Sequence, residues 1–150
     1  MLEKPGIQDE TIITCLQREY GLQISGFAFL PLGADLNTAV YRAVSPGGSA
    51  YFVKLRSGAP DDIIVTLPKV FYDQGIENII PPLPTRSGQL WAELEPFRLI
   101  LYPFIDGCDG YGARLSDDHW RQLGAALRRI HTLALSPAML ERIPPTTASA

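Results

Sequence analysis

The sequence predicts an α+β fold: a five-stranded antiparallel sheet with helices packed on it and an amphipathic helix toward the carboxyl end. Three observations predict it. Helix-period and strand-period segments alternate in the order helix, three strands, helix, two strands, helix. The strand-like runs are short, rich in Ile, Phe, Val and Tyr, and separated by Pro and Gly turn signals. The chain has 150 residues, 46% hydrophobic and only 19% charged, enough to bury one sizeable core.

Asp9 caps the first helix, whose apolar positions Ile12, Ile13, Leu16 and Tyr20 follow the helical repeat and which Gly21 ends. Strands are expected at residues 24–30, 38–44 and 50–56, the last two joined as a hairpin through Pro46-Gly47-Gly48. The next segment is helical, with Asp61 and Asp62 near its positive end and Gly75 near its close. Pro68 lies inside it and removes a hydrogen bond, which predicts two short pieces or a kinked helix. Pro81-Pro82-Leu83-Pro84 reads as a rigid connector to a second antiparallel pair at 89–94 and 97–105. After a link dotted with Gly107, Gly110 and Gly112, Ser116 caps an amphipathic helix. That helix carries Trp120, Leu123, Leu127 and Ile130 on one face, with Arg128 and Arg129 near its end. The tail 143–150, with two prolines and small residues, reads as frayed.

A net charge of -3 and a pI near 5.3 leave no basic footprint, which argues against nucleic acid as the main partner. Cys15 and Cys108 are too few and too far apart for a disulfide framework or a zinc site, and both read as reduced thiols suited to a cytoplasmic protein. The amino terminus has neither a basic start nor a secretory apolar run, so no signal peptide is expected. The longest apolar stretches, such as 99–105, are strand-sized, short of the ~20 residues a bilayer requires, and no membrane association is expected.

Only Lys4, Lys54 and Lys69 are lysines; the other ten of thirteen basic residues are arginines. Lys54 sits in Tyr51-Phe52-Val53-Lys54-Leu55, a run otherwise suited to a core, where an ammonium is costly unless an anion meets it. Taken locally, it reads as an edge-strand lysine reaching water along its stem. Its spacing supports another reading. Upstream lies the turn Leu32-Gly33-Ala34-Asp35-Leu36-Asn37-Thr38, whose glycine lets backbone amides approach phosphate oxygens. Downstream lies the apolar strand ending in Tyr102-Pro103-Phe104-Ile105-Asp106-Gly107. A turn over phosphates, a lysine on the third strand and a hinge after the fifth are the parts of a kinase nucleotide cleft in their proper order.

The segment from Leu30 to Arg42 (Leu-Pro-Leu-Gly-Ala-Asp-Leu-Asn-Thr-Ala-Val-Tyr-Arg), Phe52-Val53-Lys54-Leu55-Arg56, Ile105-Asp106-Gly107 and Leu127-Arg128-Arg129-Ile130-His131 resemble the amino-terminal half of the aminoglycoside phosphotransferases, in particular their spectinomycin branch. The resemblance runs nearly the whole chain, including Leu67-Pro68-Lys69 and Asp73-Gln74-Gly75-Ile76. It implies a kinase-like fold, with residues 1–105 as a nucleotide-binding lobe and 106–150 as the hinge exit and first helix of a carboxyl-terminal lobe. It implies ATP as the cofactor. Lys54 would pair with the α and β phosphates, and the turn carrying Gly33, Ala34, Asp35, Asn37 and Thr38 would cover them. Val40 and Phe52 would flank the adenine. Backbone groups of Pro103, Phe104 and Ile105 would bond its edge, Pro103 offering only its carbonyl, with Tyr102 at the back of the cleft.

The sequence departs from the family in several places. The turn carries one glycine, so cradling falls to Ala34 and to the side chains of Asn37 or Thr38. Ile64 stands near the register of the acidic residue that orients the lysine in kinases; only Asp61 or Asp62 is close, and that pair stays unassigned. The family's His-Gly-Asp loop, the asparagine after it and its later metal-binding aspartate are not found in these 150 residues. No catalytic residue or metal ligand is therefore assigned. Magnesium and the aminoglycoside-like substrate are expected only with the carboxyl-terminal lobe, and no turnover is expected of this chain alone. His131 reads as a helix-terminal structural histidine, and His119 as exposed. Asp106, Asp109, Asp117 and Asp118 read as solvated or capping, the other reading being attraction of a cationic aminoglycoside. The Trp120 face is a packing face, either exposed here or paired with another copy as a homodimer. The leading expectation is the ATP-binding lobe of an antibiotic phosphotransferase. The alternatives are a non-catalytic interaction or self-association module, or a lobe of a choline, homoserine or sugar kinase.

Overall fold

The computed structural model describes residues 3–32, 35, 37–58, 62–108, 110 and 112–143. The expectations placed on Gly33, Ala34, Asp61, Asp109 and the tail beyond 143 lie outside them. Five strands, β1 (Gly26–Leu30), β2 (Thr38–Val44), β3 (Ala50–Ser57), β4 (Ala92–Leu94) and β5 (Phe97–Pro103), form one antiparallel sheet in the order β1-β2-β3-β5-β4. Helices α1 (Asp9–Cys15), α2 (Ile63–Asp73), α3 (Asp117–Thr132) and α4 (Pro137–Leu140) complete the fold. The α+β class and the five antiparallel strands follow the expectation.

Two compact units make up the chain: residues 1–60 with 80–106, and residues 61–79 with 107–150. In the first, α1 runs on as a π-helical segment (Leu16–Tyr20) until Gly21, at φ 71, turns the chain. A side chain at Gly21 would meet that backbone strain and Arg86 Nε at 3.1 Å. Gln8, not Asp9, is the cap position; Asp9 opens the helix and receives Lys4 Nζ at 2.8 Å. Ile12, Cys15 and Leu16 from this helix meet Ala39, Tyr41, Ala43, Val53, Leu55, Leu99 and Leu101 in one core. Those strand positions alternate along β2, β3 and β5, so a single face of the sheet is sealed by the helix.

β4 spans three residues where six were expected, because Thr85 draws residues 85–89 into a turn: its hydroxyl accepts the Gln89 N–H at 3.0 Å, and its own N–H reaches the Gln89 carbonyl at 2.8 Å. β5 ends at Pro103, two residues early.

In the second unit α2 is one continuous helix with Pro68 inside it, not two pieces. The carbonyl that Pro68 leaves without a helical donor belongs to Ile64, an exposed residue. Arg142 pairs with Asp62 at the start of α2, and Arg129 Nη2 donates to the Gly75 carbonyl at 2.7 Å beyond its end. Ser116 caps α3 as expected. The cap is reciprocal: the Ser116 hydroxyl accepts the His119 N–H at 3.3 Å, and the Ser116 N–H donates to His119 Nδ1 at 3.1 Å. Ile76 is sealed, whereas Trp120, Leu123 and Leu127 of the α3 stripe are 57%, 48% and 47% exposed.

Candidate functional site

β3 is the middle strand of the sheet, bonded to β2 on one side and β5 on the other. Lys54 is therefore not an edge lysine. It pairs in register with Val40 and Ile100, so its side chain leaves the sheet on the face opposite α1. The next row on this face is Arg42, Phe52 and Tyr102, with the Phe52 and Tyr102 rings edge to face at 6.4 Å. Val40 and Ile100 are buried, while Lys54, Phe52 and Tyr102 are half-buried. Burial pushes the Tyr102 hydroxyl above its ordinary pKa and keeps it neutral. The structure thus brings Val40, Phe52, Lys54 and Tyr102 together on one surface, a consequence of period-two alternation on three adjacent strands.

The hinge begins where β5 ends. The Phe104 N–H donates to the Ala50 carbonyl at 3.1 Å, which removes it from any ligand. Alternation directs the Pro103 carbonyl away from β3, the same edge on which the Leu101 carbonyl accepts the Leu83 N–H at 2.7 Å. Pro103 has no N–H, so the first backbone donor of the hinge without a partner among the described residues belongs to Ile105. Arg42 lies over the Phe104 ring at 5.0 Å and braces it. Arg42 was not singled out from the sequence; its position opposite Phe52 becomes visible only once β2 and β3 are paired.

At the other end of the face lies the β1–β2 turn. Asp35 Oδ1 accepts the Asn37 N–H at 3.0 Å, and Oδ2 accepts the Thr38 hydroxyl at 2.8 Å and pairs with Arg56 Nη1 at 3.3 Å. The Asn37 and Thr38 bonds, aided by the positive charges of Arg56 and Lys54, hold this carboxyl below its ordinary pKa. The Thr38 hydroxyl proton points at Asp35, which leaves the Asn37 side chain as the exposed side-chain donor among the described residues of the turn. Gly33 and Ala34 lie outside the described residues. Among the described residues no group of three or more His, Cys, Asp or Glu side chains is arranged to hold a metal ion. A shallow cavity of about 290 Å³ lined by Glu10, Thr11, Thr14, Cys15, Arg18 and Leu94 shares no residue with this surface; it opens beside α1.

Among solved structures, spectinomycin phosphotransferase APH(9)-Ia in complex with ADP and spectinomycin superposes with a TM-score of 0.89 and 33% identity, over 97% of this chain and 44% of that one. In fold and sequence the chain resembles the amino-terminal lobe of the aminoglycoside phosphotransferases. The AMP-bound complex of the same phosphotransferase matches with a TM-score of 0.81 and 31% identity, over 92% of this chain and 42% of that one. The amicoumacin kinase hAmiN, in complex with AMP-PNP, shares the fold at a TM-score of 0.56 and 17% identity, over 89% of this chain and 43% of that one. The chain therefore spans less than half the length of these kinases. No family model and no curated protein matches the sequence. Among the described residues no helix is long and apolar enough to cross a membrane.

Proposed function

We propose that this chain is the nucleotide-binding lobe of a small-molecule phosphotransferase acting on an aminoglycoside or spectinomycin-like antibiotic. Residues 1–105 bind ATP, and residues 106–150 lead into the part that carries acceptor, magnesium and catalysis. The observation that carries this reading is Lys54 on the central strand, on the face away from the core, in one surface with Val40, Phe52 and Tyr102. The ADP- and AMP-bound state of the similar phosphotransferase supports it. In this reading Lys54 meets the α and β phosphates, and Val40 and Phe52 enclose the base. The hinge presents an acceptor at the Pro103 carbonyl and a donor at the Ile105 N–H. That order suits adenine, whose amino group donates and whose N1 accepts; guanine offers the reverse.

These 150 residues alone then bind ATP without transferring its phosphoryl group, because the His-Gly-Asp loop that would position an acceptor hydroxyl is not found in their sequence. Titration by NMR should move the Ile105 amide and the Lys54 strand, and Lys54→Met should weaken ATP about ten-fold or more while leaving adenosine unaffected. Absence of any response in the wild-type chain at millimolar ATP sinks the reading. The exposed Trp120, Leu123 and Leu127 stripe favours a second reading, self-association through α3. Sedimentation separates the two: a tight dimer that ignores ATP supports the second.

A further inference from the structure

A carboxylate in a loop that covers a triphosphate is a poor choice unless its charge is used elsewhere, since like charges repel across such a short span. Both oxygens of Asp35 are engaged. One receives the Asn37 N–H at 3.0 Å; the other receives the Thr38 hydroxyl at 2.8 Å and the Arg56 guanidinium at 3.3 Å. The Thr38 N–H returns to the Asp35 carbonyl at 3.2 Å. The Asn37 carbonyl is held from β3 as well, by the Ser57 N–H at 2.9 Å and the Ser57 hydroxyl at 3.2 Å. Two consecutive residues at the end of β3, Arg56 and Ser57, thus grip two residues of the β1–β2 turn. Arg56 lies two positions beyond Lys54, on the same face.

We propose that Asp35 is a positioning residue that does not touch the nucleotide but ties Asn37 and Thr38 to the Lys54 strand through Arg56, keeping the Asn37 side chain beside the phosphates. The inference rests on the nucleotide reading above and changes the role expected of Asp35 from phosphate contact to tether. Its ion pair with Arg56 also presents an approaching triphosphate with a neutralised carboxylate in place of a bare one. The favourable bonds that Asp35 gains in its ionised form, which lower its pKa, are in keeping with a carboxylate retained for this purpose.

The test compares ATP with adenosine on the 150-residue chain, by NMR titration of wild type, Asp35→Ala and Asp35→Asn. Asp35→Ala should weaken ATP about ten-fold, leave adenosine unchanged and speed hydrogen exchange at the Asn37 amide. Asp35→Asn, which keeps a turn acceptor without the charge that draws Arg56, should fall between the two and guards against a folding defect in the alanine variant. ATP binding equal to or tighter than wild type in both variants overturns the tether, and so does an equal loss for ATP and adenosine. A wild-type chain that binds neither ligand defeats the nucleotide reading itself, and the tether with it. That failure shows before any substitution is made.

Discussion

Tyr41 is completely buried, stacked on Phe27 at 4.8 Å and edge-on to Phe29 at 5.4 Å, yet its hydroxyl has no hydrogen-bond partner among the described residues. Burial, with Asp9 nearby, pushes its pKa up to about 12. Removing an unpaired buried hydroxyl costs little and relieves desolvation. Tyr41→Phe should therefore leave stability unchanged or raise it by up to about 1 kcal/mol, as measured by urea unfolding. The sign of its pH effect follows from the raised value. The stability tied to the neutral phenol is fully present below pH 10, the ordinary tyrosine value, and is lost as pH climbs through about 12. The phenylalanine variant should show a shallower loss over that range; Tyr20 and Tyr102, also raised, keep it from vanishing. At this scale the sequence was informative about Lys54, because a lone lysine in an apolar run calls for an explanation. It was silent about Arg42 and Arg56, which look like ordinary strand arginines until pairing sets them beside Phe104 and Asp35.

The helix that closes the core is an element whose worth can be measured. Leu16 is fully buried against the sheet, in the stretch where α1 becomes π-helical. Leu16→Ala should cost about 2–5 kcal/mol in chemical denaturation, through lost transfer free energy and the cavity left behind. The Lys54 face of the sheet should be spared, since Leu16 packs on the other face; a variant of normal stability would show that the helix does not seal the core. Element identities were legible because apolar residues recur at period two in the strands and near 3.6 in the helices. Boundaries were less so. The 89–94 segment lost half its length to the side-chain bonds of Thr85, and Pro68 stayed inside one helix at a turn whose Ile64 is exposed. Neither outcome is encoded in hydrophobic pattern.

For the molecule as a whole, each unit holds one tryptophan, Trp91 in the first and Trp120 in the second. A Trp120→Phe variant therefore reports through Trp91 on the sheet alone. ATP at a hundred times its dissociation constant should add about 2.7 kcal/mol to the stability of the unit that binds it, raising the melting temperature seen at Trp91 on the order of 10 °C. Lys54→Met should abolish most of that rise. An unshifted transition at saturating ATP would place the nucleotide somewhere other than this sheet. The exposed α3 stripe lies in the other unit and should not respond in the same way.

By itself the sequence determined the fold class, the order of the elements and the register-independent facts: an apolar run interrupted by one lysine, a glycine turn before it and a proline-bearing hinge after it. These are local, since periodicity and turn chemistry act over a few residues. Only the tertiary structure decided that β3 is the central strand, that Lys54 leaves it on the face away from α1, and that the Phe104 amide is spent on Ala50. Strand order and the direction of backbone groups depend on pairing between segments some forty to fifty-two residues apart, Lys54 with Ile100 and Tyr51 with Pro103 among them, and no local pattern records which partner a strand will choose.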